Sequence, residues 1–227
     1  MTDIKKNFLE LQTQIRLCET KYQRTPHSVA LLAVTKGQSI EKISAAIDAG
    51  QTAFGENYLQ EALPKIAFFT GKNLEWHFIG PIQSNKTKKI AEYFSWVHSV
   101  THIKVLQRLH DQRPEHLPPL NVCIEVNISD EPTKSGVNID DIFALADHCT
   151  SSPRLILRGL MAIPSLQKNF SDQRAQFHKL AILYEKLREK GYMLDTLSMG
   201  MSSDWEAAIA EGSTMIRIGT ALFGARN

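Results

Sequence analysis

Short apolar, strand-like runs alternate with helical stretches along almost the whole chain, and this constrains the fold more than any other feature. The runs are Val29–Thr35, Ala53–Gly55, Glu75–Ile79, Ser95–Val100, Leu120–Ile128, Leu155–Ile163, Thr196–Met199 and Met215–Ile218. Nearly all are separated by segments with helical spacing and helix punctuation: 40–49 (opened by Ser39, closed by Gly50), 57–69 (containing Pro64), 84–93, 102–112, 139–150, 170–190 (closed by Gly191) and 203–211 (closed by Gly212). Strict alternation predicts a parallel sheet with helices outside it. Eight units are the number that closes a TIM-type (β/α)8 barrel, and the chain stops soon after the eighth strand, with a short helical tail at 220–225. An open, doubly wound sheet is the rival architecture; the count favours the barrel. One extra helix, 3–24, precedes the first strand. Ile4, Phe8, Leu11, Ile15 and Leu17 give it an apolar face, expected to pack on the outside or bottom of the barrel.

The bulk properties agree with one α/β domain over 1–227. No linker, repeat or low-complexity tract divides the 227 residues, and a hydrophobic fraction of 43% supplies a substantial core. Twenty-six basic against 24 acidic residues leave a net charge of +2, which carries no nucleic-acid or membrane signature. The basic stretch Ser84–Lys89 has no interleaved aromatics and reads as a solvated helix face. Three cysteines without a CxxC pair exclude a disulfide framework or zinc site and fit a reducing cytosol; Cys123 and Cys149 sit in apolar runs and read as core. Phe68, Phe69, Phe170 and Phe177 also read as core. The N-terminus, MTDIKKNFLELQ, is not a signal peptide, and no run of about 18 apolar residues occurs. A soluble, cytoplasmic protein is expected.

In such barrels the chemistry lies at the C-terminal ends of the strands. Lys36 follows the first strand and shares a face with Leu32 and Val34. If that face is interior, an amine stands at the mouth of an apolar lumen, where lost hydration favours the neutral form that attacks an aldehyde. Taken alone, a solvated lysine at a strand end is the simpler reading. Ser198-Met-Gly-Met-Ser-Ser203 leads into a helix N-terminus, and Ser202 and Ser203 offer hydroxyls; alone, an ordinary serine-capped helix explains it. Gly219 and Thr220 follow the eighth strand. Loops after strands seven and eight build the phosphate site of many barrels, so the two segments together raise that reading to an even contest. Arg217 interrupts an apolar strand, probing for either an interior ion partner or a ring nitrogen; as a permanent cation it would keep that nitrogen unprotonated. His77 shares the inward parity of Glu75 and Ile79, and a satisfied core histidine is its simpler reading.

Six blocks, in order, carry a resemblance over about residues 5–226: LLAVTKGQSIEKISAAIDAG, FGENYLQEALPKI, EWHFIGPIQSNKTKKI, VCIEVNISDEPTKSGV, LRGLMAIP and LSMGMSSDWEAAIAEGSTMIRIGTALFGAR. The chain resembles the YggS/PROSC family of pyridoxal phosphate (PLP) homeostasis proteins. The resemblance implies a modified TIM barrel of the alanine racemase N-terminal type, fold type III among PLP proteins. It implies that Lys36 holds PLP as a Schiff base and that Ser202, Gly219 and Thr220 hold the phosphate. It further implies that Arg217 faces the pyridine nitrogen, that Asn57 and Met201 line the pocket, and that His77 lies near the cofactor. No motif departs from the family pattern.

The resemblance implies a binding protein that buffers PLP and delivers it to apo-enzymes. The alternative is a single-domain PLP enzyme such as a weak amino-acid racemase. Racemases of this fold carry a second, β-rich domain, for which no span is left here, and no second acid or base opposite Lys36 is evident. No catalytic residue and no metal are therefore expected, and with no arm for swapping the chain reads as a monomer. Lys134, on the loop after strand five, is a candidate transit site for PLP, with a solvated loop lysine as the simpler reading.

Overall fold

A computed structural model describes residues 3–129 and 135–224. Among these, eight parallel strands close into a barrel in chain order. They are β1 (Ala30–Val34), β2 (Ala53–Glu56), β3 (Glu75–Phe78), β4 (Trp96–Val100), β5 (Leu120–Glu125), β6 (Leu155–Met161), β7 (Thr196–Ser198) and β8 (Met215–Ile218). The closing pair is β1 with β8, in the register Leu32 to Arg217. The helices are α1 (Ile4–Lys21), α2 (Ile40–Asp48), α3 (Leu59–Phe68), α4 (Thr87–Tyr93), α5 (Ile103–Gln112), α6 (Ile142–Thr150, after a 3-10 turn), α7 (Phe170–Glu189), α8 (Trp205–Ala210) and α9 (Thr220–Phe223). The expected alternation and its count of eight are borne out, and the open sheet is excluded by the β1–β8 pairing.

Strand side chains divide by parity. Leu31, Ala33, Phe54, Trp76, Phe78, Val97, Val122, Ile124, Leu197, Ile216 and Ile218 point outward into a continuous core beneath the helices. The other parity fills the lumen. Leu32, Ile79 and Met215 form one interior cluster, with Val34 and Ala53 against it, and Trp96, Cys123 and Met161 form a second. The lumen is therefore packed, and in barrels of this kind the C-terminal rim is where a ligand sits.

Three expectations need correction. The fifth and sixth strands end earlier, at Glu125 and Met161. Val126, Ile128 and Ala162 stay buried beyond them, so apolar sequence outlasts the ladder. In α1, Leu17 is 64% exposed, and Cys18 takes the inward place after Ile4, Phe8, Leu11 and Ile15. A period of 3.6 reaches position 18, not 17. Phe68, at the end of α3, is 65% exposed and Phe170 is also exposed, whereas Phe69 and Phe177 are buried as expected. Helix α1 packs outside the barrel against α2, α8 and α9, covering the seam where the first and last strands meet.

Candidate functional site

A cavity of about 460 Å³ opens at the C-terminal rim. Its wall takes Val34 from the end of β1, and Lys36, Asn57, Ile79 and Ile163 from just past the ends of β1, β2, β3 and β6. The β7–α8 loop adds Met201, Ser202 and Ser203, and the β8 end adds Arg217, Gly219 and Thr220. Seven sequence-predicted site residues thus converge: Lys36, Asn57, Met201, Ser202, Arg217, Gly219 and Thr220. The eighth, His77, is not among the lining residues. It is fully buried in the lumen, where its Nδ1 lies 2.9 Å from His98 Nε2. Lys134 lies outside the described residues.

Lys36 is held by its backbone neighbours. On one side, Thr35 lies on the outward face of β1, where Lys65 Nζ of α3 donates to its carbonyl oxygen (2.7 Å). Its hydroxyl donates to Glu56 Oε1 (2.6 Å), and Lys65 pairs with that same carboxylate oxygen at 2.6 Å. On the other side, Gly37 N–H donates to Glu61 of α3 (2.9 Å). Burial pushes the Glu56 carboxyl above its ordinary value, opposed by Lys65 and Thr35. Helix α3 therefore grips both flanks of Lys36. Sequence reading missed this cluster because the contact between a strand end and a helix turn nine positions later exists only once the helix packs.

Asn57 is placed by a close backbone approach. A Cβ at Gly80 would stand 2.0 Å from the Asn57 carbonyl oxygen, so only glycine fits. Asn57 Oδ1 is buried without a hydrogen-bond partner among the described residues. The β7–α8 loop turns through Gly200, at φ +95°, whose carbonyl oxygen accepts from Arg217 N (2.9 Å). Asp204 fixes the loop further by accepting from Met201 N (2.6 Å). Gly219 faces Val34, itself part of the wall, and a Cβ there would make only ordinary contact with Val34, 3.4 Å from its carbonyl oxygen.

Arg217 is buried, yet no ion pair reaches it among the described residues. Its Nη1 donates to the carbonyl oxygen (2.7 Å) and hydroxyl (2.9 Å) of Ser198, and its Nη2 to the Ala162 carbonyl oxygen (2.9 Å). Burial lowers its pKa to about 10, with Asp204 and Glu125 acting the other way. It stays protonated at neutral pH. The interior ion pair weighed from sequence is replaced by neutral dipoles at the border of the cavity. One amine, one guanidinium and three hydroxyls, set in apolar walls, suit a small anion that also carries a carbonyl group.

A profile of the family described as alanine racemase, N-terminal domain, matches residues 11–227. The pyridoxal phosphate homeostasis protein of Vibrio alginolyticus is 51% identical over 100% of this chain and 99% of its own length. That of Pseudomonas aeruginosa (strain PAO1) is 52% identical over 100% of this chain and 97% of its own. Among solved structures, PipY of Synechococcus elongatus PCC7942 with PLP bound superposes with a TM-score of 0.86 at 36% identity, covering 97% of this chain and all of that one. The chain belongs to the alanine racemase N-terminal domain family and, within it, to the pyridoxal phosphate homeostasis proteins.

Proposed function

We propose that this chain binds PLP covalently on Lys36 and serves PLP homeostasis as a carrier, buffering the cofactor and delivering it to apo-enzymes, and not as a catalyst. The observation that carries this reading is the composition of the cavity wall. When bound, PLP supplies a reactive aldehyde, a ring nitrogen and a phosphate. Lys36 would provide the amine for the aldehyde, and the Arg217 guanidinium, which borders the cavity, would supply a donor for the ring nitrogen. Ser202, Ser203 and Thr220 provide hydroxyl donors for the phosphate, and Gly219 lines the wall beside Val34. Asn57 offers an unsatisfied buried acceptor, and Met201, Ile79 and Ile163 form apolar walls that exclude water. His77 acts at one remove, through the lumen. The fit is to a dianion: the lining residues include no aspartate or glutamate.

Racemisation requires proton removal and return on opposite faces of one carbon. Beside Lys36, the lining residues include no histidine, aspartate, glutamate or tyrosine. Tyr58, the nearest tyrosine in sequence to a pocket loop, is exposed and outside the cavity wall. Arg217, as a permanent donor, keeps the ring nitrogen unprotonated and weakens it as an electron sink. No helix among the described residues is long and apolar enough to cross a membrane. We take the protein to act in the cytoplasm as a monomer of one domain, which light scattering on the purified chain would check.

The test is the visible absorbance of purified protein with and without borohydride, beside Lys36→Ala. A bleachable band, absent from the variant, with the reduced label mapped to Lys36 by mass spectrometry, is expected. No band after adding PLP would overturn the assignment. Amino-acid turnover abolished by Lys36→Ala would replace the carrier with the racemase-like enzyme.

A further inference from the structure

A line of buried side chains runs down the lumen from Arg217 to the opposite end of the barrel. Arg217 Nη1 donates to Ser198 Oγ at 2.9 Å. Ser198 Oγ lies 2.9 Å from His98 Nδ1, and His98 Nε2 lies 2.9 Å from His77 Nδ1. His77 Nε2 faces the Glu75 carboxylate at 3.7 Å, beyond hydrogen-bond distance, at the start of β3 where Glu75 is exposed. Both imidazoles are fully buried. The ring of Trp96 stacks on His77 with centroids 5.1 Å apart and planes within 9°. Trp96 is in turn covered by Arg158, 4.6 Å from its ring, so the plane of the His77 ring is fixed.

The ends of this line decide its polarity. Arginine only donates, and a carboxylate only accepts. A lone pair on His77 Nε2 would oppose the Glu75 charge, so that nitrogen carries the proton. A neutral His77 then accepts at Nδ1, which requires His98 to carry its proton on Nε2. His98 Nδ1 is left as an acceptor for the Ser198 hydroxyl, whose oxygen accepts from Arg217. Burial depresses the pKa of both histidines, which keeps them neutral and the direction single. With Ser198 and Ala162 taking three of the five guanidinium N–H groups, two have no acceptor among the described residues, and Arg217 borders the cavity.

We propose that His98 and His77 are positioning residues: through Ser198 they set the orientation of the Arg217 guanidinium and so the recognition of a ring nitrogen in the cavity. The inference rests on the PLP reading of that cavity. It assigns a role to two histidines that are not among the residues lining the cavity, and makes Ser198 the link between them and the ligand.

The probes are PLP and its benzaldehyde analogue, in which C–H replaces the ring nitrogen and the phosphate is kept. Dissociation constants for both are measured on wild type, His98→Phe, His98→Gln and Ser198→Ala. Phenylalanine keeps the ring but neither hydrogen bond. Glutamine can accept from Ser198 and donate to His77. His98→Phe should weaken PLP by about tenfold, ~1.4 kcal/mol, while the analogue moves by less than about twofold. His98→Gln should restore PLP to within about threefold of wild type. Ser198→Ala, a smaller change to the lumen, should show the same selectivity at about threefold. Equal weakening of both ligands in His98→Phe and Ser198→Ala, or no weakening in either, would overturn the positioning role while leaving the PLP site standing. A wild-type protein that binds neither ligand would overturn the site itself, and the inference with it.

Discussion

Two of the barrel's buried polar systems are built on opposite principles. On the outer face, between β1, β2 and α3, Lys65 and Glu56 form a compensated ion pair at 2.6 Å, with Thr35 completing it. Inside the lumen, Arg217 is just as buried but meets only carbonyl oxygens and a hydroxyl, backed by neutral histidines. The first arrangement neutralises its charge locally and fixes backbone around Lys36. The second solvates a charge with dipoles where it borders the cavity. Here the charge beside Lys36 has a counter-ion, and the charge bordering the cavity does not.

The largest effect expected from this contrast is on stability. Lys65→Met leaves the Glu56 carboxylate buried without its counter-charge and should cost about 3–5 kcal/mol in urea unfolding. Adding Glu56→Gln should recover most of that loss, because the pair is needed mainly to neutralise itself. If the single and double variants are equally unstable, the outer system is not acting as an ion pair.

Arg217→Met should behave in the opposite way. It removes a cation that no carboxylate contacts directly, although Glu125 and Asp204 lose its field, and leaves chiefly the Ala162 carbonyl oxygen without its donor. A loss of roughly 1–2 kcal/mol in the same unfolding assay is expected, with PLP affinity falling by about tenfold or more. A stability loss matching that of Lys65→Met would erase the distinction between the two systems.

The smallest effect is a pH dependence confined to the lumen. His77 and His98 are held below their ordinary value of 6.5, chiefly by burial. Glu75 favours a proton on His77, while Arg217 opposes one on His98. The unfolded chain takes up protons that the folded one refuses. Their contribution is therefore neutral above about pH 6.5 and becomes destabilising as the pH falls below it. Between pH 7 and 5, His98→Gln should show a shallower decline in Tm than wild type, by about 1 kcal/mol or ~2–4 °C. Identical slopes would mean that His98 takes up its proton in the folded protein as readily as in the unfolded chain.

Much of the site was legible because strand parity and strand order are sequence properties. Lys36, Arg217, Gly219 and Thr220 lie at or just past the ends of the first and last strands, and barrel closure makes those strands neighbours. His98 escaped notice although it stands two positions after Trp96 on an inward face of β4; the parity rule could have found it, but its pairing with His77 needs the lumen. Leu17 and Phe68 went astray for a simpler reason: an apolar side chain carries no mark of which way its helix is rotated. The sequence carries β5 and β6 past Glu125 and Met161 because burial and single backbone bonds, such as Val126 N–H to Met161 O and Ala162 N–H to Ser198 O, continue after the regular ladder ends.

What the sequence determined by itself was the barrel, through its eight alternating units, and the set of chemical groups gathered at one rim. Side-chain period and connection type are local properties that survive without a tertiary frame. Only the tertiary structure decided which charges were compensated. Whether Lys65 meets Glu56, or Arg217 meets a carboxylate or a serine, depends on distances of a few ångströms between segments far apart in the chain. Those distances are set by how the helices pack and the barrel closes, and over that range the electrostatic energy in a buried site changes most steeply.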